Sequence, residues 1–194
     1  MKSLLFLSRS IDWVNQKIGG FVYWLILIAV LISAGNAVAR KLFNLSSNAF
    51  LEVQWYLFSA VFLLGAGYTL LRNEHVRIDV LSQRWSPRVR AWIDIVGSVL
   101  FLLPIGVIIL LLSWPMFLES FIRHEVSVNA GGLLRWPVKL LIPIGFSLLC
   151  LQGLSELIKR VAFLRGLAPD PGAQAKPHGV ESLALEPPSD GQKS

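Results

Sequence analysis

Glu52 is the residue whose type and position are best suited to chemistry. It stands at the head of an apolar stretch, and nineteen uncharged residues, 53–71, separate it from a dense polar cluster at 72–79. A carboxylate in a membrane is a candidate for binding or proton transfer. It can also lie at headgroup depth and pair with Arg40 or Lys41 across the preceding loop. The sequence leaves both interpretations of Glu52 open.

The polar cluster at the other end of the stretch contains His75, Arg77 and Asp79. Charges that follow an apolar stretch usually form a solvated loop next to the membrane. Here both signs of charge alternate with Val76 and Ile78, which favours a docked segment with internal ion pairs. These two interpretations also remain open.

No spacing in the chain matches a known catalytic or ligand motif. His75, His124 and His178 are far apart, and His124-Glu125 does not continue into HExxH. Cys150 is the single cysteine, so it can form neither an internal disulfide nor a CxxC pair. We therefore predict no catalytic, cofactor-binding or metal-binding site, and we expect that the protein is not an enzyme.

The composition is that of a membrane protein. Of 194 residues, 54% are hydrophobic and 15% are charged, against about 25% charged in soluble domains. The net charge is +6, but no basic run interleaved with aromatic residues points to nucleic acid, so we predict no nucleic-acid partner. The lipid bilayer is the partner that the composition indicates.

Long uncharged runs predict the fold class, which is an all-α integral membrane protein. A helix of about 20 apolar residues crosses the hydrocarbon core. We predict one four-helix membrane domain over residues 18–165. Its spans are 18–39, 50–71, 93–118 and 137–157.

The segments outside the spans have their own patterns. Apolar residues of segment 1–17 recur every three or four positions, which predicts an amphipathic helix in the membrane interface; alternatively, this segment forms the first turns of span one. The loop 72–92 favours a second interfacial helix. Pro, Gly, Ser and Gln accumulate in 166–194, which predicts a disordered tail.

A cleavage site competes with the first span. Residues 37–39 read Ala-Val-Ala after an apolar run, as a signal-peptidase site does. The apolar run is long for a signal peptide, and the preceding segment is amphipathic rather than short and basic. Cleavage would leave three spans, and the sequence does not exclude it.

Lysine and arginine counts predict the topology. With four spans, the N-terminus, the second loop and the tail together carry 13 such residues, and the other two loops carry 5. The positive-inside rule therefore places both termini in the cytoplasm. Glu52 then lies near the outer face and the 72–79 cluster near the inner face.

Several motifs resemble a known family over about residues 10–165. The glutamate at the head of the second span is followed by Gly-Ala-Gly-Tyr and then by Asn-Glu-His-Val-Arg-Ile-Asp-Val at 73–80. Later stretches, 133–137 and 151–156, are also similar. Together with the four spans, they make the chain resemble the small, DctQ-like membrane subunit of tripartite ATP-independent periplasmic (TRAP) transporters.

The resemblance implies a function and a set of partners. In this family a periplasmic substrate-binding protein captures an organic anion, often a carboxylate. A large multi-span permease subunit then moves the anion across the bacterial inner membrane, driven by sodium, while the small subunit packs against the static scaffold of the large one. On this basis, the ionisable residues near the span ends are structural or interface residues: Arg40, Glu52, His75, Arg77, Asp79 and Arg135.

The absence of a charged residue at the centre of any span agrees with an accessory subunit, because a complete carrier has ionisable or ion-coordinating groups there. The alternative is a self-sufficient small channel or carrier that forms by oligomerisation.

Overall fold

The computed structural model of the protein describes residues 2–43, 48–72, 85–129, 132–169 and 171. Across these ranges the regular structure is helical, and four helices are long and apolar enough to cross a membrane. The predicted all-α membrane fold is confirmed. The cluster with His75, Arg77 and Asp79 and most of the predicted disordered tail lie outside the described residues.

The helices are numbered here in chain order. The first two spans are single helices, the third is divided by a π-helical turn, and the fourth is again single. Their bounds are α1 Lys2–Phe43, α2 Asn48–Leu71, α3 Pro87–Gly97, the π-helical segment Ser98–Leu102, α4 Leu103–Ile122, and α5 Trp136–Leu164.

Helix α1 is one continuous helix of 42 residues, about 63 Å long at 1.5 Å per residue. That is roughly twice the thickness of the hydrocarbon core. The predicted boundary between segment 1–17 and the first span is therefore not marked by a break in the helix. That the first turns lie in the membrane interface stays a prediction.

The third span changes its geometry before a proline. Because Pro104 has no N–H to donate, the sequence predicts a kink or interruption there. The chain forms the π-helical segment Ser98–Leu102 immediately before it and then resumes α geometry. Pro115 lies inside α4, where the helix continues past it. The irregularity is thus concentrated on the N-terminal side of the first proline.

Helix α5 is the element on which the described bundle is built. It packs against α1 and α2 on one side, and against α3, the π-helical segment and α4 on the other. Glycines permit the closest approaches: a Cβ at Gly145 would lie 2.7 Å from the Leu63 carbonyl oxygen, and one at Gly67 would collide with Asn15 Oδ1. Gly67 belongs to the stretch Gly65-Ala66-Gly67, whose small side chains allow another helix to approach closely.

Candidate functional site

Glu52 is the centre of a polar cluster at one end of the bundle, which we call the Glu52 cluster (Glu52, Ser127, Asn129 and Leu133). The residue is 1% exposed. Its carboxylate accepts hydrogen bonds from Ser127 Oγ, from Asn129 Nδ2 at 2.9 Å and from the Leu133 backbone N–H at 2.8 Å. The carboxylate thus faces the loop between α4 and α5. It does not pair with Arg40 or Lys41, as one interpretation of the sequence had it.

The loop that covers Glu52 has its own backbone hydrogen bonds. The Ser127 N–H donates to the Leu133 carbonyl at 2.9 Å, and the Arg135 N–H donates to the Glu125 carbonyl at 2.8 Å. These pairs fold residues 125–135 into a narrow hairpin-like loop, of which residues 130 and 131 are not described. The Tyr56 hydroxyl on α2 donates to the Leu134 carbonyl at 3.2 Å. Helix α2 therefore holds this loop through two side chains one helical turn apart.

Arg135 and Glu125 form a second charged group at the base of the same loop. Arg135 Nη1 lies 3.4 Å from Glu125 Oε1, and Lys139 Nζ contacts the other carboxylate oxygen. The hydrogen bond and the positive charge of Lys139, together with the hydrogen bond from Arg135, hold the pKa of Glu125 at about 2, below its ordinary value of 4.5. This carboxylate stays ionised in the folded protein at any physiological pH.

The lowered pKa of Glu125 predicts a loss of stability in acid. Because the pKa is lower in the folded than in the unfolded state, the stabilisation is fully present above about pH 4.5 and is lost as the pH falls toward 2. We expect the melting temperature to fall less between pH 5 and pH 3 in Glu125→Gln than in the unmodified protein. Glu119→Gln, which removes the carboxylate of an exposed pair with Arg123, should keep the full pH dependence. If the melting temperature falls equally between pH 5 and pH 3 in all three proteins, Glu125 is not the source of the pH dependence.

At the opposite end of the bundle, α1 and α5 are joined by buried amides. Gln152 is 0% exposed. Its Oε1 accepts a hydrogen bond from Asn15 Nδ2 at 2.9 Å, and its Nε2 donates to Asp12 Oδ1 at 2.9 Å. Both groups of this amide are therefore used in contacts with α1.

Hydroxyl and charged groups extend this contact along the same helix faces. The hydroxyls of Ser8 and Ser155 lie 2.7 Å apart, and Ser155 Oγ also donates to Asp12 Oδ1 at 2.7 Å. Lys159 Nζ lies 3.1 Å from Asp12 Oδ2 and 2.5 Å from Glu156 Oε1. We call the whole set the Gln152 cluster: Ser8, Asp12, Asn15, Gln152, Ser155, Glu156 and Lys159.

An ion pair joins the third span to the same end of α5. Arg160 Nη1 lies 2.5 Å from Asp94 Oδ2 on α3, and the Arg160 side chain is only 5% exposed. The polar residues near the C-terminal end of α5 thus contact α1 through one face and α3 through another. The three elements are fixed to each other by charge and hydrogen bonds as well as by apolar packing.

The polar groups in these clusters largely bind one another. Between residues 2 and 171, in the part of the chain that is described, no group of three or more His, Cys, Asp or Glu residues could hold a metal ion. The hydrogen bonds and ion pairs between the helices are suited to holding them in register.

The predicted site residues that the structure describes do not form one cluster. Glu52 and Arg135 lie near each other through the 125–135 loop, whereas Arg40 lies in the last turn of α1. His75, Arg77 and Asp79 lie outside the described residues.

The polar face of α5 was not predicted from the sequence, because no single residue on this face indicates a contact with another helix. Gln152, Ser155, Glu156 and Lys159 recur at intervals of one, three or four, which places them on one helix face. That spacing was the available signal.

Comparison with known proteins gives one finding. Residues 29–163 match the family model described as tripartite ATP-independent periplasmic transporters, DctQ component. Comparison with curated proteins and with solved structures gives no significant match. The matched range includes α2, α3, α4, most of α5 and the second part of α1.

Proposed function

Because the chain belongs to the DctQ component family of TRAP transporters and is thus a small permease subunit, we propose that it anchors a large permease subunit during uptake of an organic acid. The family is one of transporter components and not of enzymes. In the proposed complex a periplasmic binding protein delivers a carboxylate, and the large subunit moves it inward with a sodium gradient. The small subunit contributes no group to the substrate site of the large subunit.

The observation that carries this proposal is the presence of buried polar clusters at both ends of α5. Charged and amide groups in an apolar environment are costly unless they are paired. In this chain they join α1 and α3 to the central helix α5, and α2 to the loop that precedes α5. Such a bundle resists relative movement of its helices, which is what a static support for a moving partner requires.

The exposed apolar surface supports the presence of a partner in the membrane. The third span packs mainly on α5, and large apolar side chains along it are exposed, including Phe101, Leu111 and Leu112. Lipid alone can cover this surface. In the proposed complex, the large subunit covers part of it.

We place the protein in the bacterial inner membrane with both termini in the cytoplasm, since 13 Lys and Arg residues fall on one side and 5 on the other. The Glu52 cluster then lies toward the periplasm and the Gln152 cluster toward the cytoplasm. Alkaline phosphatase fused after Ser194 should be inactive, because that enzyme needs an oxidising compartment. A green fluorescent protein fused at the same residue should fluoresce. An active phosphatase would overturn the topology.

A pull-down in mild detergent tests the subunit function. A tagged copy of the chain, expressed with its transport system, should retain a large multi-span membrane protein. Deleting the chain while keeping the large subunit should abolish uptake or lower the amount of the large subunit. Full uptake without the chain would contradict the proposal. A homo-oligomer that conducts solute in liposomes would favour a self-sufficient channel.

The charged segment at 73–80 is proposed as part of the interface with the large subunit. Replacing Arg77 and Asp79 with alanine should lower the yield of the complex several-fold and leave the relative uptake of different acids unchanged. The matched control removes one cation and one carboxylate from the tail, Lys176→Ala with Glu181→Ala, and should not alter the yield. A changed substrate preference with normal yield would contradict the interface role.

A further inference from the structure

A polar cleft lies between the last turns of α1 and the first turns of α2, apart from the clusters described above. Its volume is about 470 Å³. The residues of α1 that line it, Ser33, Asn36, Ala37, Arg40 and Lys41, recur at intervals of one, three or four and form one stripe along the helix. Leu51 and Gln54 complete the wall from α2.

The cleft is rich in cationic and neutral hydrogen-bond donors, and no carboxylate is among the described residues of its wall. Arg40 and Lys41 contribute positive charge, and Asn36 and Gln54 contribute amide N–H groups. Gln54 Nε2 lies 3.3 Å from Ser33 Oγ, so the two helices meet through polar groups at the base of the cleft.

The nearest acidic residue along the chain is directed elsewhere. Leu51 and Gln54 lie on one face of α2, because residues three positions apart are neighbours on a helix. Glu52 points away from that face, and its carboxylate is used by Ser127, Asn129 and Leu133. Among the described residues of the cleft, no carboxylate therefore neutralises the positive charge of Arg40 and Lys41.

The helix dipole explains why Arg40 and Lys41 lie at the end of α1, but it does not explain the other polar residues of the cleft. Basic residues in the last turn of a helix interact favourably with the carbonyl end of the helix dipole, and Arg40 and Lys41 lie in the last turn of α1. That effect gives no reason for Asn36 to face the same space, into which the hydrogen-bonded pair Ser33 and Gln54 also opens. Neutral donors beside two cations are the groups that surround a bound oxyanion.

We propose that this cleft binds one oxyanion group, a phosphate or a carboxylate. Arg40 donates paired N–H groups to two of its oxygen atoms, Lys41 supplies a second charge, and Asn36 and Gln54 complete its hydrogen bonds. Two sources have this chemistry at the Glu52 end of the bundle: the phosphodiester of a phospholipid headgroup, and a small organic acid in solution.

Binding to the purified full-length chain in a nonionic detergent tests the proposal and separates the sources. The probes are dihexanoyl phosphatidylglycerol for the lipid and succinate for the acid, each titrated by calorimetry. We expect one probe to bind, and Arg40→Gln to weaken it about tenfold or more, the range for hydrogen bonds between charged groups. Binding of the lipid alone assigns a headgroup site, and binding of succinate assigns a solute site.

Two controls separate a built site from general attraction to positive charge. Arg123→Gln removes a cation from an exposed ion pair with Glu119 outside the cleft and should leave affinity unchanged. Asn36→Leu keeps the charge and removes a neutral donor, and it should weaken binding several-fold. Tryptophan fluorescence melts verify that each variant is folded. The proposal is overturned if neither probe binds, if Arg40→Gln and Arg123→Gln weaken binding equally, or if Asn36→Leu has no effect.

Discussion

Replacing Glu52 with glutamine is expected to open the 125–135 loop. The carboxylate is buried and accepts three hydrogen bonds, from Ser127, Asn129 and Leu133. A glutamine of the same shape has one acceptor oxygen and a donor NH₂ group, so at least one of these donors faces another donor. We expect hydrogen exchange of the Leu133 amide to rise about tenfold to a hundredfold, the range for losing a hydrogen bond to a charged group.

The control for Glu52→Gln is Glu119→Gln, since Glu119 belongs to an exposed ion pair with Arg123 near the same end of the bundle. Exposed pairs contribute little to stability, so exchange at Leu133 should not change in this variant. If the Leu133 amide remains protected from hydrogen exchange in Glu52→Gln, the backbone pairing of the loop, and not the carboxylate, holds the loop closed.

Replacing Arg160 with methionine is expected to destabilise the bundle strongly. The guanidinium is almost fully buried and lies 2.5 Å from the Asp94 carboxylate. Removing one partner of a buried ion pair leaves the other charge uncompensated, which costs about 3–5 kcal/mol in the free energy of unfolding. Unfolding of the purified chain by a denaturing detergent, followed by tryptophan fluorescence, measures the difference.

A double variant separates the loss of the pair from the cost of an unpaired charge. Arg160→Met combined with Asp94→Asn removes both charges of this pair and should recover a large part of the lost stability. Arg123→Met, at an exposed ion pair, should cost less than about 1 kcal/mol. If Arg160→Met is no more destabilising than Arg123→Met, the ion pair between α3 and α5 does not stabilise the fold.

The membrane fold was predictable because it depends on local composition. Runs of about 20 uncharged residues are long enough to cross the hydrocarbon core whatever they contact, and the described part of the chain contains four helices of that kind. The continuity of α1 past Lys17 was not predictable in the same way, since the apolar spacing of its first turns suits both an interfacial helix and an extended span.

The partners of Glu52 could not be read from its neighbourhood in the sequence. They lie 75 to 81 positions away, and the loop that carries them is held by backbone pairing between residues 125 and 135. The nearest opposite charges along the chain, Arg40 and Lys41, suggested an ion pair that does not form. Asp12 and Gln152 were missed for the same reason, because each is polar locally and acquires its partner through tertiary packing.

The π-helical segment Ser98–Leu102 sets the rotational phase of the third span. At 100° per residue, Asp94 and Gly106 would point about 120° apart on an uninterrupted α-helix. The π turn takes up one extra residue, which brings the two directions within about 20°. Both residues can therefore face α5, where Asp94 meets Arg160 and Gly106 lies against Cys150. Removing one residue from this turn would rotate half of the span away from its partner.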